Sequence, residues 1–379
     1  MISKICVLTA FYPSENDPHF AFVGTLISAI ADMGIECHVI SPVSSIERKH
    51  RALSRIETTK KGSRIFVYCP RFIGFPSRNR IRSTYWLNVY SIRRAIKKTF
   101  DNKIGHCDAI YSHFLSSGIN AAWLSEKTGI PAFVAVGESS LERTKLCRSL
   151  FGNDLHEHIK GVISVSSELR TELRQERAFS EKTPVEVFPN SIDPDVFKPL
   201  DRENCRKQLG IEKDDFIISF VGGFIQRKGF DKLQLAVSRH PNWKCILIGT
   251  GELEIALPDD QVVFSGRVSH DRIPEYICAS DVFVLPTQAE GCCNAIVEAM
   301  GCGLPIVSSD RSFNDDILDE TNSIKIDPDS VDAIEQAIVQ LEQNKDLREH
   351  LATGALKKGQ SLSIMNRAGK IMDFMEKNL

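Results

Sequence analysis

The feature that most restricts the fold is an alternation that stops and then starts again. From the N-terminus, the apolar runs "KICVLTA", "ECHVISP", "RIFVYCP", "AIYSHF", "PAFVAVG", "GVISVS" and "VEVFPN" read as strands. Helix-like stretches such as Phe20–Met33 and Gly118–Thr128 lie between most of them. After the turn-rich "PNSIDPDVFKPLD" the pattern restarts with "FIISFVGG", "KCILIG", "VVFSG", "DVFVLP" and "PIVSS", interleaved with helix-like Asp231–Ser238, Asp271–Ala279 and Asn294–Gly301. Strands alternating with helices predict βαβ units and parallel sheets. Runs that are apolar at nearly every position predict sheets covered on both faces. The length of 379 residues also exceeds one ordinary core. The pattern therefore predicts an α/β chain of two doubly wound domains facing one another. The expected divisions are 1–190, 191–361 and a C-terminal helix within 362–379, for which packing back on the first domain is one option. Ligands of such sheets bind beyond the carboxyl ends of the strands, so the cleft between the domains is the expected site.

Composition narrows the classes. No apolar run approaches the ~20 residues needed to span a bilayer, and "MISKICVLTA" enters a strand with no secretory h-region. Eleven cysteines, without Cys-x-x-Cys spacing, fit buried thiols in a reducing compartment. A cytoplasmic location is expected. Cys292, Cys293 and Cys302 have no histidine among them and fit no zinc pattern, so no metal is expected. The net charge of −2 conceals an asymmetry, because Arg48–Lys98 carries fifteen Lys/Arg and a single acid, Glu57. Such a patch attracts polyanions, anionic head groups or phosphorylated acceptors; a solvated helix face is the plainer alternative. No nucleic-acid-binding module is recognisable, and no nucleic-acid partner is expected. Within Arg78–Phe100, Tyr85, Val89, Ile92 and Ile96 share one helical face flanked by Arg93, Arg94, Lys97 and Lys98. That face is either core or, through residues 78–100, a contact with the inner face of an anionic membrane.

The stretch richest in chemistry is Thr287–Pro305, "TQAEGCCNAIVEAMGCGLP". It reads as the end of a strand, a loop, and a helix with Asn294 as N-cap. Backbone N–H groups from Gly291 to Ala295, backed by the helix dipole, would form an anion site. Glu290 stands at its rim. Glu298 lies inside the helix, where a carboxylate can accept hydrogen bonds from neighbouring hydroxyls. A diphosphate flanked by sugar hydroxyls would satisfy both, although a loop charge and an ordinary helix residue explain the spacing equally well.

This stretch resembles the Glu–seven–Glu motif of the retaining, group 1 nucleotide-sugar glycosyltransferases, and the resemblance extends along almost the whole chain. "VFPNSIDPDVFKP", "FVGGFIQRKGFDKLQLAV", "LIGTGELE" and "EAMGCGLPIVSSD" follow the family order, and the opening "FYPSENDPHFAFV" looks most like members that build capsular and other envelope polysaccharides, lipopolysaccharide included. The resemblance implies a GT-B fold of two Rossmann-like domains. It implies a nucleoside diphosphate sugar as donor, with no obligatory cofactor or metal, and a glycan or lipid-linked glycan as acceptor. It further implies that Lys228, helped by Arg227, pairs with the donor diphosphate in a loop with Gly222, Gly223 and Gly249. Glu298 would hold the ribose and Val268 lie by the base. Glu290, with the amides of Gly291, Cys292, Cys293 and Asn294, would engage sugar and phosphate, and His113 would be the active-site histidine. His19, Phe20 and Glu138 fall on the acceptor side. Gly223 stands where the family often has arginine, and the first loop lacks the usual Gly-Gly. A catalytically silent scaffold, a nucleotide-sugar epimerase and, from the partial Gly-x-Gly of "GTGELE", a dinucleotide oxidoreductase are the rival expectations. The two Asp-Pro-Asp segments, Asp193–Asp195 and Asp327–Asp329, are expected to be turns.

Overall fold

A computed structural model describes residues 1–14, 20–46, 52–74, 82–138, 141, 149 and 155–379, with the backbone alone at 82–85. The chain divides into two compact units. Unit 1 comprises Met1–Val165, Leu169–Phe188 and Arg367–Leu379; unit 2 comprises Ser166–Glu168 and Pro189–Asn366.

The strands of unit 1 are β1 (Lys4–Thr9), β2 (Glu36–Ile40), β3 (Val43–Ser44), β4 (Ser54–Thr58), β5 (Arg64–Tyr68), β6 (Arg71–Phe72), β7 (Ala109–His113), β8 (Ala132–Val136), β9 (Ile159–Ser164) and β10 (Val185–Val187). Eight of them form one sheet in the order β10-β9-β8-β7-β1-β2-β5-β4. All pairings are parallel except β4 with β5. The helices α1 (Ala21–Asp32), α2 (Arg82–Thr99) and α3 (Leu115–Thr128) follow β1, β6 and β7, and α4 (Ser167–Gln175) follows β9. Every residue of β7 and β8 is buried, as near-continuous apolar strands require.

Unit 2 holds β11 (Phe216–Val221), β12 (Trp243–Ile248), β13 (Val262–Gly266), β14 (Val282–Leu285), β15 (Ile306–Ser309) and β16 (Ser323–Ile326). They form one parallel sheet in the order β13-β12-β11-β14-β15-β16. Its helices are α5 (Arg202–Leu209), α6 (Phe230–Val237), α7 (Ile273–Ile277), α8 (Asn294–Gly301), α9 (Val331–Gln343) and α10 (Lys345–Ser361); α11 (Ile364–Lys377) closes the chain.

In each unit the strand order reverses about its first strand. β1 lies between β2 and β7, and β11 lies between β12 and β14. Chain connections leave such a pair in opposite directions, so the loops at the carboxyl ends part and open a crevice. The two crevice loops of unit 2 are Gly222–Gly229 and Pro286–Cys293. Those of unit 1 follow Thr9 and His113, which are register partners.

Two glycines adjust the unit 2 loops. Gly229 has φ +68°, and a Cβ there would overlap the Pro286 carbonyl, so only glycine lets the two crevice loops touch. Gly249, at φ +147°, lies so close to the Gly222 carbonyl that no side chain fits. The glycines of "GTGELE" thus serve loop-to-loop packing, with Gly251 bridging to Phe224. Both Asp-Pro-Asp segments are turns, closed by Asp195 N–H to Asp193 Oδ1 at 3.0 Å and Asp329 N–H to Asp327 Oδ1 at 3.1 Å.

Candidate active site

The crevice of unit 2 gathers charge. Lys228 ends a single 3₁₀ turn, Gln226–Lys228, and the chain then enters α6 through Gly229. The loop after β14 lies against this turn. Gln288 N–H donates to the Arg227 carbonyl at 2.8 Å, and Thr287 Oγ1 donates to the same oxygen at 3.3 Å. Lys228 Nζ therefore comes within 2.5 Å of Glu290 Oε1, with both side chains nearly buried. Arg227 reaches the same oxygen at 3.1 Å and also donates to the Ala289 carbonyl. Thr287 Oγ1 stands 2.9 Å from Glu290 Oε1. Two cations and a hydroxyl thus converge on one carboxylate oxygen. Burial disfavours the Lys228 ammonium, but the charge of the Glu290 carboxylate and its hydrogen bond hold the Lys228 pKa above the usual lysine value. The lysine is a fixed, fully charged cation.

Asn294 is the first residue of α8 rather than its cap. Cys293 takes the cap position, at φ −79° and ψ 113°, and its side chain makes no capping hydrogen bond of the ordinary kind. The backbone is still extended at Cys293 and turns helical at Asn294, so the half-in cap position falls on the cysteine. The first-turn N–H groups of Ala295 and Ile296 face the Cys293 sulfur. Burial raises the Cys293 pKa, so this sulfur is a neutral thiol. Asn190, from the segment after β10, fixes the loop by donating its backbone N–H to Cys292 Sγ at 3.3 Å and its side-chain amide to the Cys292 carbonyl at 2.9 Å.

Glu298 does not project into solvent. It is 9 % exposed, and its Oε1 pairs with His270 Nε2 at 2.9 Å. His270 stacks edge-on against Phe197, with ring centroids 5.0 Å apart. The hydrogen bond from Glu298 raises the His270 pKa against its partial burial. Val268 sits half-buried two residues upstream in the same loop. A Cβ at Gly223 would make ordinary van der Waals contact with Ile225 at 3.8 Å and the Thr250 carbonyl at 3.9 Å. Arg227 is the second cation at Glu290.

In unit 1, His113 ends β7 and is 3 % exposed. Tyr111 Oη lies 3.1 Å from its Nδ1. Burial, aided by the charge of Arg367 on α11, lowers its pKa to about 3, so the imidazole is neutral across the physiological range. Phe22 and Phe114 flank the ring at centroid distances of 5.6 and 4.8 Å. Phe20 has a left-handed backbone (φ 63°) and stacks on Phe11 at 4.5 Å. An aromatic cluster thus replaces the glycine pair of the family pattern. Glu138 accepts N–H groups from Leu115 at 2.7 Å and Gly137 at 3.0 Å, so it caps the start of α3. Burial raises its carboxyl pKa. His19 lies outside the described residues.

The structure brings Arg227, Lys228, Glu290 and Cys293 together and seats Glu298 on His270. His113 and Phe20 belong to unit 1. Sequence reasoning missed Asn190, Thr287, His270 and Arg367. Asn190, Thr287 and His270 stand inside stretches that resemble the family, His270 within "VVFSGRVSHDRIPEYICASDVFVLP", but no role was assigned to them, and Arg367 is separated from His113 by most of the chain. Among the described residues no cluster of three His, Cys, Asp or Glu could hold a metal ion.

Comparison with known proteins finds glycosyltransferase models in both units. Residues 201–358 match the family model "Glycosyl transferases group 1", and residues 21–196 match "Glycosyltransferase Family 4". The chain is thus similar to glycosyltransferases along most of its length. A full-length relative is the Bacillus subtilis protein named as the teichuronic acid biosynthesis glycosyltransferase TuaC, 25% identical over 370 residues and covering 92% of each chain. Among solved structures, sucrose-phosphate synthase from Thermosynechococcus elongatus superposes with a TM-score of 0.78 at 18% identity, covering 99% of this chain and 98% of that one. Anabaena HepE in complex with UDP-glucose gives 0.73 at 17% identity, with 99% of each covered. The fold of this glycosyltransferase is thus the two-unit α/β GT-B fold. No helix among its described residues is long and apolar enough to cross a membrane.

Proposed function

We propose that this chain is a retaining glycosyltransferase that moves a hexosyl or N-acetylhexosaminyl group from a nucleoside diphosphate sugar to a growing, lipid-linked glycan of a cell-surface polysaccharide. The observation that carries the reading is the convergence of Arg227, Lys228 and Glu290 beside the first turn of α8, at the reversal of strand order in unit 2. Cations fixed there suit a diphosphate, and they favour the transition state because leaving-group charge grows on the diphosphate as the bond breaks. In this reading Lys228 exchanges part of its pairing with Glu290 for a phosphate oxygen. Glu290 then turns to the donor sugar, and Glu298, held by His270, accepts hydrogen bonds from the ribose. In this reading neutral His113 is the active-site histidine of unit 1.

Retention requires the acceptor hydroxyl to attack on the face that the diphosphate leaves. The bond from C1 to the phosphate oxygen breaks with its electron pair going to the diphosphate. A new bond forms from C1 to the acceptor oxygen, and the acceptor proton passes to the departing diphosphate. The similarity to TuaC, named for teichuronic acid synthesis, and the HepE complex with UDP-glucose support this choice of pathway class and donor class.

The test is thermal shift with a panel of nucleoside diphosphates and their sugars, with and without magnesium. Stabilisation by one nucleoside diphosphate, independent of magnesium and lost in Lys228→Ala, is the expected result. No shift with any member of the panel in a folded sample would instead favour a silent scaffold.

A further inference from the structure

Strand β4 closes one edge of the unit 1 sheet, and among the described residues no strand pairs with its outer side. Its sequence, "SRIET", is symmetric in chemical type. Ser54 and Thr58 carry hydroxyls, Arg55 and Glu57 carry opposite charges, and Ile56 stands at the centre. The antiparallel ladder with β5 shows which way each backbone group points. Cys69 N–H donates to the Leu53 carbonyl and Thr59 N–H to the Ser63 carbonyl, both at 2.9 Å. Hydrogen-bonded pairs recur at every second residue, so Arg55 and Glu57 also turn their N–H and C=O groups toward β5. Those of Ser54, Ile56 and Thr58 point outward from the sheet. The same three side chains are exposed, Ile56 at 58 %. Edges are usually guarded by proline, by lysine or by a charge aimed outward. None of these guards β4. Arg55 and Glu57 lie half-buried on the face opposite Ile56, where Arg55 donates to Glu57 at 2.7 Å and to the Pro13 carbonyl at 2.8 Å, and Glu57 accepts from Tyr12 at 3.0 Å.

A second copy of the same strand is the partner that fits. Set antiparallel about a two-fold axis at Ile56, the strands pair Ile56 with Ile56, Ser54 with Thr58, and Arg55 with Glu57 of the other copy. The outward N–H and C=O groups then meet one another. Arg55 and Glu57 fall at the non-hydrogen-bonded positions, where facing side chains lie closest. Moving the axis one residue to either side sets Glu57 against Glu57 or Arg55 against Arg55, so charge selects the Ile56 register. Such a contact is self-complementary and closed. We propose that β4 pairs with β4 of a second copy, joining two unit 1 sheets into one continuous sheet. The proposal does not rest on the glycosyltransferase reading. A ladder of five residues falls well short of the ~1,600 Å² of a standard interface, so the dimer is weak, with a dissociation constant on the order of 10–100 µM. The surrounding segment is basic in both copies, with fifteen Lys/Arg against Glu57 in Arg48–Lys98, so salt screens their repulsion and tightens the dimer.

The experiment is sedimentation velocity of the full chain from about 1 to 500 µM, at low and at high salt. A concentration-dependent species of twice the 42.4 kDa protomer mass, more populated at high salt, is expected. Ile56→Pro removes the N–H at the axis, which β5 does not use, and should raise the dissociation constant ~30-fold or more. Its melting temperature reports whether the sheet is intact. Charge exchange supplies a second arm that survives any loss of local stability. Arg55→Glu sets two carboxylates opposite each other and Glu57→Arg sets two guanidiniums opposite each other, so each variant alone should be monomeric. An equimolar mixture of the two restores opposite charges across the axis and should regain the dimer. A single 42.4 kDa species at every concentration would overturn the proposal. A dimer that Ile56→Pro leaves unchanged would place the contact elsewhere and overturn it likewise, as would a mixture of the charge variants that stays monomeric.

Discussion

Lys228 and Glu290 stand 2.5 Å apart with their side chains 14 % and 13 % exposed, so removing one leaves the other short of a partner. Breaking a buried pair from one side costs on the order of 3–5 kcal/mol, and Arg227 and Thr287 place this case toward the lower end. Lys228→Ala is therefore expected to lower both the melting temperature and donor kcat/KM, the latter ~10- to 1,000-fold. Adding Glu290→Gln removes the stranded charge and should restore much of the melting temperature but none of the activity. A double variant as active as the parent would remove both residues from the mechanism. His270 gives a second test. Its pKa is raised, chiefly by its hydrogen bond with Glu298. The stability it contributes is therefore complete below about pH 6.5, the unpaired value, and is lost as pH rises through the raised folded value. NMR titration should place the His270 midpoint above that of an unpaired histidine, and Glu298→Gln should bring it down. An unmoved midpoint in that variant would dissolve the pair.

At the scale of elements, the Lys228–Glu290 geometry depends on a loop contact that a methyl group would block. Gly229→Ala must accommodate φ +68° and a Cβ against the Pro286 carbonyl. A cost of about 1–3 kcal/mol is expected, with loss of donor affinity because Lys228 and Glu290 are pushed apart. Normal nucleoside diphosphate binding in a destabilised Gly229→Ala would show that the contact matters for folding alone. The same elements explain what the sequence could and could not reveal. The buried parallel strands were legible because a strand covered on both faces is apolar at nearly every position. β4, "SRIET", and β16, "SIKI", escaped because edge strands carry polar side chains and resemble loops. The stretch with the Glu–seven–Glu spacing was expected to be a loop and a helix, and the structure has a helix at Asn294–Gly301 after that loop. The spacing could not show that Glu290 faces Lys228 or that Glu298 faces His270, since those partners lie 62 and 28 residues away along the chain. On α2 the expected apolar face left core and membrane contact open, and Val89 and Ile96 are core.

The longest-range constraint on the molecule is carried by α11. Residues Arg367–Leu379 cluster with unit 1, although the chain before them, from Pro189 onward, forms unit 2. Ala368, Ile371, Met372, Phe374 and Met375 are buried, and Phe374 meets Phe133 and Phe188 edge-on at centroid distances of 6.3 and 6.1 Å. Gly161 leaves the room for this ring, since a Cβ there would lie 2.7 Å from Phe374. The same helix supplies Arg367, whose charge helps to keep His113 neutral. Unit 1 is thus completed by the last segment of the chain, and its stability depends on residues that follow the whole of unit 2. Phe374→Ala is expected to cost unit 1 about 3–5 kcal/mol, the usual loss for a buried phenylalanine. The tryptophans permit a unit-by-unit measurement, because Trp86 and Trp123 report on unit 1 and Trp243 on unit 2. In denaturant titrations, a Trp243→Phe background should show the unit 1 transition moving to lower denaturant when Phe374→Ala is added. A Trp86→Phe, Trp123→Phe background should show the unit 2 transition in place. If both transitions move by the same free energy, the two units unfold as one cooperative body, and α11 is a fastener for the entire molecule.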